Sequence, residues 1–238
     1  MKMKSLLLTS LSLFPLPATA AIYLSGGHID APAFAYVSLA EAANDPTLTP
    51  GFEPHLHNEG GPDGAILNGV RQEDASEYEP EEIIILIPQT STTTLNSQTY
   101  YWLPENETDA AEQNAPFIGI GLEELDPDDW DGSITIKLTG ITGPGNFLLW
   151  QSGFPAETLF LDSTDLNLSF MLTPGSHTHF NWGFTEIGLY ELQFTIEGTH
   201  FDDGFQSATA NYQFQVVPEP STVLLGGLGL LALMRRKR

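Results

Sequence analysis

The hydrophobic positions of this chain repeat every second residue. Ile134, Ile136 and Leu138 alternate with polar neighbours, and so do Leu166, Leu168, Phe170 and Leu172. The same pattern returns at Tyr190, Leu192, Phe194 and Ile196, and again at Tyr212, Phe214 and Val216. Successive side chains of a strand point to opposite faces, so this spacing predicts strands with one buried face. The spacers Thr142-Gly143-Pro144-Gly145, Thr173-Pro174-Gly175 and Glu186-Ile187-Gly188 carry turn chemistry. Ile83 to Ile87 is a continuous apolar run stopped by Pro88, which predicts a buried strand.

Two stretches lack this order. Ser38 to Glu82 is rich in Pro, Gly, Asn and acids and reads as long loops. Pro104 to Asp131 reads as irregular and acidic, with one short strand at Phe117 to Ile120. No helical period stands out between the two chain ends. Short strands separated by turns predict an all-β fold, an antiparallel β-sandwich of immunoglobulin-like or jelly-roll type with long acidic loops.

Both ends read as targeting segments. Lys2 and Lys4 precede the apolar stretch Ser5 to Leu16, and Ala18-Thr19-Ala20 supplies small residues for a signal peptidase. Residues 1–20 therefore read as a cleavable signal peptide. The apolar stretch falls short of the roughly 20 residues needed to span a bilayer. At the other end, Pro218-Glu219-Pro220 leads into the apolar run Val223 to Met234 and the cluster Arg235-Arg236-Lys237-Arg238. Such a basic end stays cytoplasmic as a stop-transfer signal. This three-part tail resembles the PEP-CTERM sorting signal. The resemblance implies recognition by an exosortase in a Gram-negative bacterium, removal of the tail after transient membrane anchoring, and delivery to the envelope, surface or extracellular matrix. Residues 21–217 are left as one domain of ordinary size.

Charge narrows the partners. Of the eight Lys and Arg, only Arg71 and Lys137 lie between the targeting segments, whereas all but one of the 31 acidic residues lie there. A domain so acidic repels nucleic acid and anionic membrane. There is no cysteine, so stability rests on packing, and thiolate metal sites and cysteine catalysis are excluded.

The domain carries a second likeness. Gly27-His28-Ile29-Asp30, Thr142-Gly143-Pro144-Gly145-Asn146-Phe147, and His177-Thr178-His179-Phe180-Asn181-Trp182-Gly183-Phe184 with Gly188-Leu189-Tyr190 resemble the choice-of-anchor M domain of surface-anchored proteins. That family implies an association with metal ABC transport. Joined to a PEP-CTERM tail, the domain is similar to proteins repressed by the zinc-uptake regulator. Ser38 to Glu82, including Glu53-Pro54-His55-Leu56-His57-Asn58, departs from the pattern.

Five of the six histidines fall in suggestive spacings: His55-x-His57, His177-x-His179, and His28 two residues from Asp30. If Ser176 to Phe184 is one strand, His177, His179 and Asn181 share a face opposite Phe180, Trp182 and Phe184. Residues i and i+2 lie roughly 7 Å apart, close enough for two imidazoles to hold one ion. Zinc accepts imidazole and carboxylate ligands when thiolates are lacking. His28, His177 and His179 are therefore expected to form one zinc site, with His55 or His57 completing it or forming a second. A solvated polar face is the alternative for either pair alone. His200, beside Asp202 and Asp203, reads as a surface residue. Calcium is the weaker candidate, because Asp126 to Gly132 fails the EF-hand pattern with Trp130 at its fifth position. No nucleophile elbow, phosphate loop or zinc-protease helix motif is present, so no enzyme is expected. Trp102, Trp130, Trp150 and Trp182 read as core residues or as a carbohydrate platform. Two functions remain open: metal capture through the histidines, and a structural or adhesive matrix protein that contacts exopolysaccharide.

Overall fold

A computed structural model describes residues 21–153 and 156–217. Residues 1–20, read as a signal peptide, and the expected sorting tail 218–238, with Pro218, Glu219 and Pro220, lie outside the described residues. The first part of the chain forms β1 (Ile22–Leu24), β2 (His28–Val37), α1 (Leu39–Asn44), β3 (Gly51–Asn58), β4 (Ile66–Leu67), β5 (Val70–Arg71) and β6 (Ser76–Tyr78). There follow β7 (Ile83–Pro88), β8 (Thr92–Leu95), β9 (Gln98–Leu103), α2 (Glu107–Gln113) and β10 (Phe117–Gly121). The last part forms β11 (Ile134–Thr142), β12 (Phe147–Gln151), β13 (Thr158–Asp162), β14 (Ser169–Leu172), β15 (His177–His179), β16 (Asn181–Phe184), β17 (Gly188–His200) and β18 (Gly204–Val217).

The all-β sandwich expected from the alternation is what forms. One sheet runs β14-β11-β17-β18-β7-β1-β4-β5, a second β13-β12-β16-β9-β8, and a third β15-β10-β2-β3-β6. Most pairings are antiparallel. Three are parallel: β1 with β7, β7 with β18, and β2 with β10.

The alternation turns directly into a core. Ile134, Ile136, Leu138, Tyr190, Leu192, Phe194, Ile196, Tyr212, Phe214 and Val216 are all buried. Trp182 on β16 stacks on Phe214 of β18 with ring centroids 5.4 Å apart, which closes the second sheet onto the first. The third sheet is tied in by Tyr212, whose buried hydroxyl donates to the His55 carbonyl at 3.3 Å. A smaller cluster of Phe34, Phe52, Leu122, Leu125, Trp130, Ile134 and Ile196 fills one end.

The turn Thr142 to Gly145 also has a packing role. A Cβ on Gly143 would stand 2.5 Å from the Tyr190 ring, and one on Gly145 would stand 2.8 Å from the Tyr190 hydroxyl. The room left by these glycines lets Tyr190 donate to the Glu186 carbonyl at 2.9 Å and accept from the Glu186 amide at 3.0 Å. Two of the sequence motifs thus meet as one structural corner.

Several sequence expectations are corrected. Ser38 to Glu82 is not a run of long loops, since it holds α1 and β3 to β6. Its strands escaped notice because β3 (GFEPHLHN) buries Phe52, His55, Leu56 and Asn58 without strict alternation. Pro104 to Asp131 holds α2, capped by Asn106, whose side chain accepts from the Asp109 amide. Leu166 is exposed in a turn and lies before β14. Ser176 to Phe184 is not one strand: β15 pairs with β10 in the third sheet, whereas β16 pairs with β12 and β9 in the second. Asn181 leaves the histidine face, because its buried amide oxygen accepts from Trp102 Nε1 at 2.7 Å and from the Glu105 amide at 3.2 Å. His200 is not a surface residue. It is 6% exposed, stacked on Tyr36 at 4.8 Å, and its Nδ1 accepts from the Asp202 and Asp203 amides at 3.3 Å each. Trp130, Trp150 and Trp182 are buried.

Candidate metal centre

Strand register brings the dispersed histidines together. In the third sheet, His179 on β15 lies opposite Gly119 on β10, Gly119 opposite Asp30 on β2, and Asp30 opposite His57 on β3. A second row runs from His177 through Gly121 and Ala33 to His55. Asp30 and Ala33 share a face although they are three residues apart, because β2 carries one extra residue relative to both neighbours. Bulges of this kind re-aim side chains, and here one places a carboxylate and two His-x-His pairs on one surface.

Gly119 and Gly121 carry no side chain, which leaves the space beside them to the Asp30 carboxylate. His28, His177 and His179 converge, with ring centroids 6.0 Å (His28 to His177), 5.0 Å (His28 to His179) and 5.2 Å (His177 to His179) apart. Asp30 belongs to two sets of potential ligands, His28–Asp30–His179 and Asp30–Glu123–His177, in each of which the ligand atoms lie within 4.8 Å of one another. Phe117 closes one side by stacking on His179 at 3.8 Å. Glu123 reaches the His177 ring nitrogen Nδ1.

The centre is buried and polar at once. Asp30 is fully buried, and neither of its carboxylate oxygens has a hydrogen-bond partner. His28 Nε2 and His179 Nδ1 are also buried and unpartnered. His28 Nε2 stands 3.5 Å from Asp30 Oδ1, too far for a good hydrogen bond. A buried polar atom left unpaired costs about 1–3 kcal/mol, and a charged one costs more. One ligand atom from each of His28, Asp30 and His179 lies within 4.8 Å of the others, an arrangement that a cation would satisfy.

Electrostatics fits the same use at His179, and at His28 an ion would have to displace a proton. Burial, reinforced by the neighbouring His28, pulls His179 down to about 4, so its ring is neutral at physiological pH and its lone pair is available. Burial also opposes charge on His28, but Asp30, Glu59 and Glu123 outweigh it and raise the pKa. Burial works against the Asp30 carboxylate as well, and the His28 and His177 rings with Glu123 hold it below the ordinary range. Imidazole and carboxylate in this mixture are donors that suit zinc.

His55 and His57 do not join this centre. They group with Glu124, whose Oε1 lies 3.0 Å from His55 Nε2 and 3.1 Å from His57 Nδ1. Asp30, Glu123 and Glu124 were absent from the sequence-based ligand set. Asp30 was legible as the i+2 neighbour of His28. The glutamates carry no signal in a chain this acidic. The acidic run Asp126 to Gly132 makes a tight turn in which Asp126 accepts from the Asp128 amide at 3.0 Å, and its Trp130 goes to the core.

Comparison with known proteins adds the destination of the chain. Residues 216–238 match the PEP-CTERM protein-sorting motif. The PEP-CTERM tail marks an exported protein that an exosortase processes, held transiently at the membrane by its C-terminus. No curated protein and no solved structure matches the chain. Among the described residues, no helix is long and apolar enough to cross a membrane.

Proposed function

We propose that this is a non-catalytic zinc-binding protein of the cell surface, which captures or buffers metal outside the cytoplasm through His28, Asp30, His177 and His179, with Glu123 beside them. The observation that carries the reading is the convergence of four buried, unpartnered polar atoms of His28, Asp30 and His179. A purely structural cluster would be expected to hydrogen-bond these atoms internally. Zinc is favoured over calcium because imidazoles supply most of the donors.

The sorting tail and the likeness to choice-of-anchor M domains support an envelope or matrix location in a Gram-negative bacterium, with a metal ABC transporter as the receiver of the ion. Zinc content and affinity of the full chain, purified without a polyhistidine tag, test the reading. Tight binding lost in His179→Ala supports it. Binding unaltered in stoichiometry and affinity by His177→Ala with His179→Ala would overturn the assignment.

One feature favours the second reading, an adhesive matrix protein. Phe201 and Phe205 at the tip of the β17–β18 hairpin are 62% and 67% exposed. Retention on exopolysaccharide without any response to zinc would replace metal capture with that function.

A further inference from the structure

We infer that His55, His57 and Glu124 form a second, outer divalent-cation site, which has its own ligands and binds more weakly than the buried centre. It lies on the same sheet face, with His57 directly opposite Asp30 and Glu124 next in sequence to Glu123.

A ring nitrogen of each histidine lies beside one and the same carboxylate oxygen. His55 Nδ1 lies 3.0 Å from the Glu53 carbonyl, which can only accept, so Nδ1 holds the ring proton. The other ring nitrogen, Nε2, is thereby aimed at a Glu124 carboxylate oxygen 3.0 Å away. The same oxygen lies 3.1 Å from His57 Nδ1. Each of the three residues offers one ligand atom, and these atoms lie within 4.8 Å of one another. Around a tetrahedral zinc with bonds of about 2.0–2.1 Å, ligand atoms are spaced by about 3.3 Å, close to the separations seen. The bond from His55 to the Glu53 carbonyl is also the outer-shell support that metal-bound histidines commonly have.

No basic side chain takes the ion's place. Of the two in residues 21–217, Arg71 donates to the Gly64 carbonyl and Lys137 pairs with Glu197. A cavity of about 600 Å³ that His55 also lines is bordered by Glu53, Glu77, Glu79 and Glu82, which raises the local concentration of cations. His57 and Glu124 are partly exposed, so this site exchanges with solvent more readily than the buried one. Facing residues on paired strands have Cα atoms about 4.5–5.5 Å apart, so two dications would repel, and the outer ion is expected to bind roughly tenfold or more weakly.

Zinc titration of the full untagged chain against a chromophoric chelator tests this, with near-ultraviolet circular dichroism to verify folding. The wild type is expected to take two ions. Glu124→Gln and His57→Gln should each take one, with the tight site retained. His179→Gln should lose the tight site and keep the outer one. A wild type that binds one ion, unchanged in His57→Gln, overturns the outer site and leaves the buried centre standing; Glu124 then only hydrogen-bonds the two histidines. Two ions persisting in both outer variants also overturns it. One ion lost in His57→Gln but kept in His179→Gln supports the outer site and removes the buried one. No zinc binding at all removes both.

Discussion

Gly119 and Asp30 share one point in space: a Cβ built on Gly119 would stand 1.9 Å from Asp30 Oδ1 and 3.2 Å from His179 Cε1. The carboxylate of β2 thus lies over the backbone of β10, in volume that any side chain at 119 would occupy. Gly121 does the same on the other side, with its Cβ 3.1 Å from Asp30 Oδ2. The two glycines leave room on β10 for the Asp30 carboxylate between β2 and β15.

Gly119→Ala is therefore expected to displace Asp30 and lower zinc affinity at the tight site by about 10–100-fold, the scale on which lost ligand positioning acts. Competition with a zinc chelator would measure it. Unchanged affinity would mean that Asp30 is not a ligand.

Zinc should stabilise the fold. A ligand at 100 times its Kd adds about 2.7 kcal/mol when it binds only the native state. For a domain of this size that corresponds to a rise in Tm of roughly 5–11 °C. Differential scanning calorimetry with and without zinc checks it, and Asp30→Asn should abolish most of the rise.

The metal-free protein should show two oppositely shifted histidines. His179 titrates near 4 and His28 above 6.5. Between about 4 and 6.5 the unfolded chain binds more protons at His179, so that residue's contribution to stability is complete above 6.5 and fades as the pH falls toward 4. His28 acts in the other direction: its contribution is complete below 6.5 and fades as the pH rises through its raised native value. Imidazole NMR titration resolves both rings. A His179 midpoint near 6.5 would contradict a buried, neutral ring.

Core and site should separate under mutation. Ile85 is fully buried on β7, between its parallel partners β1 and β18. Ile85→Ala is expected to cost about 2–5 kcal/mol, or roughly 4–20 °C in Tm, and to leave zinc affinity nearly unchanged in the folded fraction. A large loss of affinity would show that the site depends on distant packing.

The sequence determined much of this protein by itself. Strict alternation at Ile134–Leu138, Tyr190–Ile196 and Tyr212–Val216 encoded half-buried strands, because a period of two leaves only one consistent buried face. The His-x-His spacings placed each imidazole pair on one face for the same reason. Tail chemistry was legible because sorting signals are read as linear sequence. Tertiary structure alone decided which pairs meet. His28 and His179 are about 150 residues apart, and they converge because β10 pairs in parallel with β2 and antiparallel with β15. The residue inserted in β2 then turns Asp30 and Ala33 to one side, and no residue-level pattern marks that register. Glu123 and Glu124 carry no signal among so many acids, since a carboxylate beside histidines differs from a solvated one only in what the folded chain places opposite it. His200 was misread for the matching reason: its polarity suggested solvent, and burial became possible only once Tyr36, Trp130 and the Asp202 and Asp203 amides were folded around it.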